Sequence, residues 1–282
     1  MKEAVHIDLH MHSTASDGSY TPSELARACK ELGLEYAALT DHDTIDGVAE
    51  FLDEARRVGL RAISGLEFNV AYEGEMHILA YGVDIHYAPL VEELEVLANQ
   101  RRNRAANMVK KLISQGFAIT MERVNEIAAG GVVGRPHIAR ALFESGYGED
   151  LEDAFKTYLE PGGAGYLPRL KIASERAIRL TKEAGGKAVL AHPKLTEYGD
   201  FDELLQKLKV KGLEGIEAYY PAHSDRETAY FEKLADRYGL FVTCGSDFHG
   251  ATRKSTALGR EQRAGLRVRR DVAALFRACG AE

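Results

Sequence analysis

Residues 6–18 read HIDLHMHSTASDG, and the first half of that stretch decides what the chain builds. From Val5 to His12 the residues alternate strictly: Val5, Ile7, Leu9 and Met11 are apolar, and His6, Asp8, His10 and His12 fall between them. That is the two-residue period of a β-strand, with one face made for a core and the other for binding. His10 and His12 stand two apart, so both point the same way with Cα atoms roughly 6.5 to 7 Å apart. Two imidazoles at that spacing can grip one metal ion. Asp17 follows on the loop ASDG, within reach of the same opening.

Beyond this strand, TPSELARACKELG (residues 21–33) has the marks of a helix. Thr21 and Glu24 form a capping box, Pro22 takes the first position, Leu25, Ala28, Cys29 and Leu32 make one apolar face, and Gly33 ends it. Further strands are expected near 36–43, 60–67, 76–83, 187–191, 215–220 and 241–245. Helices are expected near 47–58, 174–185, 201–211 and 224–238, the last opened by Ser224 and Glu227 as a second capping box. Seven strands spaced by helices predict a parallel, wound or barrel-like α/β fold. Residues 87–168 break the rhythm with helical periodicity and no convincing strand, and end at the Gly-rich turn EPGGAGYLP. They read as a helical insertion.

Composition narrows the class. At 282 residues, 45% hydrophobic and 28% charged, the chain is expected to be fully folded around a large core. No basic, apolar, small-residue leader opens it and no apolar run nears the roughly 20 residues that span a bilayer. A cytoplasmic protein without membrane partner is expected. Cys29, Cys244 and Cys279 include no CxxC pair, so they read as reduced structural thiols. The net charge of −7 argues against nucleic acid as a general partner, but residues 253–282 hold eight basic side chains against three acidic ones. That run is either a solvated terminal helix or a phosphate-binding surface.

Potential ligands collect at the strand ends: HMH, TDHD, SGLEFN, EMHILAY, LAHP and GSDFH. Five of these six place a His, Asp or Glu at or just beyond the end of an expected strand, the edge on which α/β barrels build their sites. His77, near the start of its strand, is the exception. His6 and His86, each isolated, read as structural. The remaining cluster exceeds the needs of one ion, so two or three are implied, with Glu67 and Asp247 free to bridge them.

The set DLHMHS, TDHD, GLE, HILAYGVD, LAHP and GSDFH resembles the polymerase and histidinol phosphatase (PHP) family along nearly the whole chain. The resemblance implies a distorted seven-stranded (β/α) barrel, built from residues 1–86 and 169–282, whose trinuclear metal site hydrolyses phosphate esters. The insertion, 87–168, would cap the substrate site. Carried over by motif, His10, His12, Glu67 and Asp247 would hold the first ion, Glu67, His77 and His192 the second, and Asp17, His42 and His249 the third. The phrases GRPHIARAL, AGGKAVLAHP and SDFHG are more similar to stand-alone members that act on nucleotides, including 3′,5′-nucleoside bisphosphate phosphatases and 5′→3′ exoribonucleases.

Phosphomonoester hydrolysis needs a metal-activated water in line with the leaving oxygen and cations on the equatorial oxygens. A His and carboxylate donor set without thiolate suits Mn²⁺, Fe²⁺ or Zn²⁺, with Mn²⁺ the expected activator and a metal-bridging hydroxide the expected nucleophile. No GxSxG or Cys/His signature calls for a side-chain nucleophile. Arg135 and His137 in GRPH are candidates for a second phosphate, or else residues of a helix cap. Arg169, Lys171 and His223 are further substrate candidates, although His223 could instead cap the helix after it. Tyr219 and Tyr220 could stack a base or belong to the core. Asp8 is placed to orient a ligand histidine, and Asp41 or Asp43 to orient His42. The expected substrate is a nucleotide carrying 3′ and 5′ phosphates, extending to the 5′ ends of short RNA, with no protein partner. The alternatives are a phosphatase of a small metabolite such as L-histidinol phosphate and a metal-binding regulatory scaffold without turnover.

Overall fold

Strands and helices alternate through the computed structural model, which describes residues 6–72, 74–128, 133–168, 170–196, 198–253, 256–259 and 266–280. In chain order the elements are β1 (Ile7–Asp8), α1 (Pro22–Glu31), β2 (Tyr36–Ala38), α2 (Val48–Val58), β3 (Arg61–Ile63), β4 (Gly65–Asn69) and β5 (His77–Tyr81). Then come α3 (Ala88–Ser114), α4 (Met121–Ala128), α5 (Arg135–Glu144), α6 (Leu151–Leu159) and α7 (Ser174–Glu183). The last part holds β6 (Lys187–Leu190), α8 (Phe201–Lys211), β7 (Gly215–Tyr219), α9 (Asp225–Tyr238), β8 (Phe241–Cys244) and α10 (Leu266–Ala278). Both capping boxes form: the Glu24 carboxylate accepts from the Thr21 N–H at 2.8 Å, and that of Glu227 from the Ser224 N–H at 2.7 Å. Each satisfies a backbone donor that the first turn leaves without a partner.

The chain divides into two compact units, one of residues 1–94 and 171–282 and the other Glu95–Leu170. The first is a mixed α/β structure with strands in two sheets. β1, β2 and β3 are parallel; β4–β5–β6–β7–β8 form a second sheet in which β5 runs antiparallel to both neighbours and the rest are parallel. Isolated bridges Met11–Phe248 and His42–Glu67 extend the pairing beyond these ladders. The Leu9 N–H also donates to the Cys244 carbonyl at 3.1 Å, and the Glu67 N–H to that of Asp41 at 3.1 Å.

Three features differ from expectation, each for a local reason. The strand expected at 60–67 is two strands, because at Ser64 the pairing partner changes from β2 to β5. There the Ser64 hydroxyl donates to the Val83 carbonyl at 2.7 Å, and its own carbonyl accepts from the Gly82 N–H at 2.8 Å. The all-parallel arrangement fails at β5, since residues 70–76 are shorter than the dozen or more that a parallel crossover needs. The first strand pairs as a ladder only at Ile7–Asp8, and beyond it the backbone divides its hydrogen bonds between Cys244, Phe248 and Thr40. Its polar face is as buried as its apolar one, with Asp8, His10 and His12 at 1%, 0% and 0% exposure.

One core cluster of the α/β unit gathers Met11, Leu25, Cys29, Leu39 and Phe51 beneath α1 and α2. The helical unit has its own, built on Met108, Leu112, Ile138, Leu142 and Leu159. Cys29, Cys244 and Cys279 are thiols outside any disulfide. Among the described residues no helix is long and apolar enough to cross a membrane. In the basic C-terminal run, Arg267 pairs with Asp236 at 3.0 Å and Arg269 with Glu35 at 2.9 Å, the pattern of a solvated helix. Lys254, Arg260 and Arg263 lie outside the described residues.

Gly245, just after β8, sits where the backbone comes against the first strand: a Cβ there would lie 2.2 Å from His10 Cβ and 2.7 Å from Glu217 Oε1. Both neighbours are fully buried and have nowhere to retreat. Gly245→Ala is expected to destabilise the protein by about 1–3 kcal/mol through overpacking, read as a lower urea midpoint at unchanged slope. A midpoint equal to wild type would mean that the two backbones have slack.

Candidate metal centre

At one end of the strands six imidazoles and three carboxylates come together. Glu67, fully buried on β4, is their centre. Its Oε1 lies 2.7 Å from His77 Nδ1, 3.0 Å from His192 Nε2 and 3.3 Å from His10 Nε2. Its Oε2 lies 2.9 Å from His42 Nδ1 and 3.4 Å from His12 Nε2. Asp247 Oδ1 stands 3.1 Å from His12 Nε2 and 3.5 Å from His10 Nε2. Asp17 reaches His249 Nε2 at 3.4 Å, His12 Nδ1 at 3.8 Å and His42 Nε2 at 3.9 Å.

The antiparallel run of β5 explains the position of His77. Its strand begins at the edge where the parallel strands end, with His77 opposite Asn69 in the ladder and the His77 carbonyl accepting from the Ala191 N–H at 3.1 Å. The residue at odds with a parallel reading is thus at the same end as the others.

Buried carboxylates fix the rings from behind. Glu217 on β7 accepts from His10 Nδ1–H at 3.0 Å and from the His192 backbone N–H at 2.8 Å. A carboxylate only accepts, so a proton sits on His10 Nδ1 and Nε2 is the nitrogen turned toward Glu67 and Asp247. The His249 Nδ1–H donates to the Asp247 carbonyl at 2.9 Å, which turns its Nε2 toward Asp17 in the same way. Asp43 accepts from the Asn69 side-chain amide at 2.9 Å, and that amide lies 3.3 Å from His42 Nδ1. Asp41 acts on the loop, accepting from the Ser13 N–H at 2.7 Å and the Ser16 hydroxyl at 2.5 Å. Asp8 likewise holds backbone, the Ser246 N–H at 2.9 Å and the Gly259 N–H at 2.8 Å, in place of the histidine ring expected of it.

Backbone and electrostatics match this reading. Asp43, His192 and Asp247 all adopt positive φ, at 50°, 23° and 53°, a strained conformation for residues with a Cβ that the surroundings must impose. Burial opposes charge on Asp17, Glu67 and Asp247, yet the surrounding imidazoles hold all three carboxyls below their ordinary range. Burial, with His42 close by, lowers His12 to about 3, so it stays neutral with a lone pair to give. His10 moves the other way, since Glu217, Glu67 and Asp247 outweigh the burial that would lower it. Burial alone pushes Asp8 up to about 6 against its hydrogen bonds.

The residues fit divalent cations. His10 Nε2 and His12 Nδ1, in fully buried rings, have no hydrogen-bonding partner among the described residues, which is costly unless a ligand takes them. Among the described residues, donor atoms within 4.8 Å of one another form four groups: His10, His12 and Glu67; His42, Glu67 and His77; His12, Asp17, His42 and His249; and Glu75, His77 and His192. Ionised carboxylates with imidazoles and no thiolate are the set that binds first-row divalent ions. Glu75 escaped the sequence reading, although it stands two residues before His77.

The other expected residues are placed as follows. The Arg135 guanidinium lies 5.0 Å from the Phe155 ring and donates to the Leu159 carbonyl at 3.4 Å. His137 Nδ1 accepts the Gly134 N–H at 3.0 Å, a cap for α5. Lys171 donates to the Gly74 carbonyl at 3.3 Å, and Arg169 lies outside the described residues. His223, buried against Tyr220 and Phe231, gives its Nδ1–H to the Ala218 carbonyl; Ser224 caps the helix in its place. Tyr220 is no stacking platform, being 3% exposed with its hydroxyl on Asp247 at 2.8 Å, and Tyr219 donates to Glu232 at 3.0 Å. Glu217, Tyr220 and Arg253, which touch the cluster, were not assigned to it from sequence. For Glu217 a signal existed: an acid inside the apolar strand GIEAY.

Glu217→Gln keeps the shape but puts an amide against His10 Nδ1. Metal affinity, measured by competition with a chelating dye, is expected to fall about ten- to a hundredfold, as for other partners that orient metal ligands. Unchanged affinity would remove Glu217 from the site.

The PHP domain model matches residues 8–184. The chain is 35% identical to the 5′-3′ exoribonuclease Rnm of Escherichia coli strain K12, over 87% of this chain and 86% of that protein. It is 34% identical to the 3′,5′-nucleoside bisphosphate phosphatase of Chromobacterium violaceum, over 86% of this chain and 87% of the relative. Among solved structures, a proposed metal-dependent phosphoesterase from Bifidobacterium adolescentis superposes with a TM-score of 0.77 at 30% identity, covering 99% of this chain and 98% of that one. The chain belongs to the PHP domain family.

Proposed function

We propose that this protein is a metal-dependent phosphoesterase that removes phosphate from nucleotides bearing 3′ and 5′ phosphates, and that it also acts on the 5′ ends of short RNA. The observation that carries the reading is the ring of imidazoles around Glu67, with Asp17 and Asp247 ionised on either side. The ions are assigned to His10, His12, Glu67 and Asp247; to Glu67, His77 and His192; and to Asp17, His42 and His249. Mn²⁺ is the assigned activator, with Fe²⁺ and Zn²⁺ as alternatives. When bound, such ions neutralise phosphate charge and make water nucleophilic at neutral pH. The residues of the chain hold the donors ionised, fix the tautomers of His10 and His249, and restrain the loops.

The two sheets are read as arcs of one distorted seven-stranded barrel, with β3 and β4 as halves of a strand broken at Ser64. The hydrogen bonds from Leu9 to Cys244 and from Glu67 to Asp41 support that reading. Arg135 and His137 are assigned to the second phosphate because a guanidinium fork matches phosphate oxygens; Arg169, Lys171 and His223 are assigned to the remaining polar groups of the substrate.

The test is phosphate release with Mn²⁺ from adenosine 3′,5′-bisphosphate, AMP and L-histidinol phosphate at equal concentrations. The bisphosphate is expected to lead in kcat/KM by about tenfold or more, the worth of one charge-assisted contact. A lead by L-histidinol phosphate would keep the site and change the substrate; no release from any ester by metal-loaded protein would leave a binding scaffold. Chelation should abolish turnover and lower Tm, and Mn²⁺ should restore both. Arg135→Ala is expected to erase the preference for the bisphosphate over AMP while AMP turnover persists, and an unchanged preference would defeat that assignment.

A further inference from the structure

Asp247 divides its two oxygens between different jobs. Oδ1 faces His12 and His10, as described above, while Oδ2 accepts from the Tyr220 hydroxyl at 2.8 Å and from Arg253 Nη1 at 2.5 Å. The two donors are unlike. Tyr220 is 3% exposed and neutral, its hydroxyl pushed up by burial and by Asp247. Arg253 carries a charge, and its side chain is 44% exposed.

The backbone that carries Arg253 is held in place. It follows the 3₁₀ turn Gly250–Thr252, in which the Ala251 N–H donates to Ser19 Oγ at 2.8 Å and Thr252 Oγ1 lies 2.9 Å from the Asp17 carbonyl and 2.8 Å from that of His249. Gly250 has φ +67°, and a Cβ there would sit 2.1 Å from Ser19 Oγ. Burial opposes the charge on Arg253, but Asp247, Tyr220 and Glu75 together favour it. Glu75 is the carboxylate grouped with His77 and His192. The guanidinium therefore lies in the field of carboxylates from both sides of Glu67, with part of its surface open to solvent.

We propose that Arg253 binds the substrate's phosphate: one nitrogen keeps Asp247 Oδ2 turned from the histidines, and the open side of the fork takes a non-bridging oxygen of the phosphate ester. A guanidinium has five donors in a fixed plane, enough to hold a carboxylate and a phosphate at once. Tyr220 restrains the same Asp247 oxygen but has no second donor, so it performs the first task alone. The proposal rests on the phosphoesterase reading above.

The pair Arg253→Met and Tyr220→Phe separates the two tasks. Three measurements are made on each protein: metal affinity of the chelated protein by dye competition, the Kd of inorganic phosphate for the Mn²⁺-loaded protein by calorimetry, and steady-state kinetics on p-nitrophenyl phosphate for KM and kcat. For Arg253→Met, phosphate Kd and KM are expected to rise together by about ten- to a hundredfold. Metal affinity should fall modestly in both variants, since both donors hold Asp247 Oδ2, whereas Tyr220→Phe should leave phosphate Kd near wild type. Arg253→Lys should fall between, restoring the charge without the fork. Equal metal losses in both variants with unchanged phosphate Kd would overturn the proposal and leave Arg253 a counter-charge to Asp247. If wild-type protein hydrolyses no ester, the functional reading fails, and the phosphate Kd still decides the role of Arg253.

Discussion

Glu67 is a carboxylate with no exposure, and the site is arranged around its charge. A buried, ionised carboxylate is costly unless it is closely compensated. Here five imidazoles supply that compensation, each with a nitrogen within 3.4 Å of one of its oxygens. The backbone of Glu67 is held as firmly as the side chain, its N–H donating to the Asp41 carbonyl at 3.1 Å and its carbonyl accepting from the Asp43 N–H at 2.9 Å. The strand that carries it is where the chain changes sheets at Ser64. The break between β3 and β4, the positive φ of Asp43 and the register that puts His77 opposite Asn69 all lie around this one charge.

Much of this was legible from residue order, because period and capping are local properties. The two capping boxes and the helical rhythm of the insertion depend on neighbours within a few positions, and the structure repeats them, whereas the alternation read up to His12 survives as a strand ladder only at Ile7–Asp8. The direction of β5 is different. It follows from the shortness of residues 70–76, and once that segment is seen as too short for a crossover, the anomaly of His77 disappears. The length was on the page of the sequence, but its consequence appears only when pairing partners are known.

The supporting residues were harder to read. Glu217 lies more than two hundred positions from His10 and meets it only because β7 and the first strand converge on one point. Arg253 looked like part of a basic run, and in the described helix of that run Arg267 and Arg269 pair with surface carboxylates. What distinguishes Arg253 is a turn anchored to Ser19, Asp17 and His249, a tertiary fact without a sequence signature. Asp8 shows the converse error. Its place on the polar face of the strand invited a role beneath a histidine ring, while the loops that cross the strand at Ser246 and Gly259 offered it backbone donors first.

The charge balance ties folding, metal binding and substrate together. Asp17, Glu67 and Asp247 are held ionised and His12 neutral, while their carboxylate neighbours favour the charged forms of His10, His42 and His249, so carboxylates ready to bind cations stand among imidazoles that balance them. A phosphate ester is an anion, so it meets repulsion from the same groups that hold the imidazoles in place. Divalent ions held by these donors would offset the carboxylate charge, and residues whose backbone is preset by the fold, such as His192 and Asp247, suit such a site. A guanidinium at the edge adds positive charge where no ion needs to sit, and by holding Asp247 Oδ2 it keeps the carboxylate from spending both oxygens on one partner. The carboxylates that fix the imidazoles are therefore the same groups that would hold cations and, through them, a phosphate.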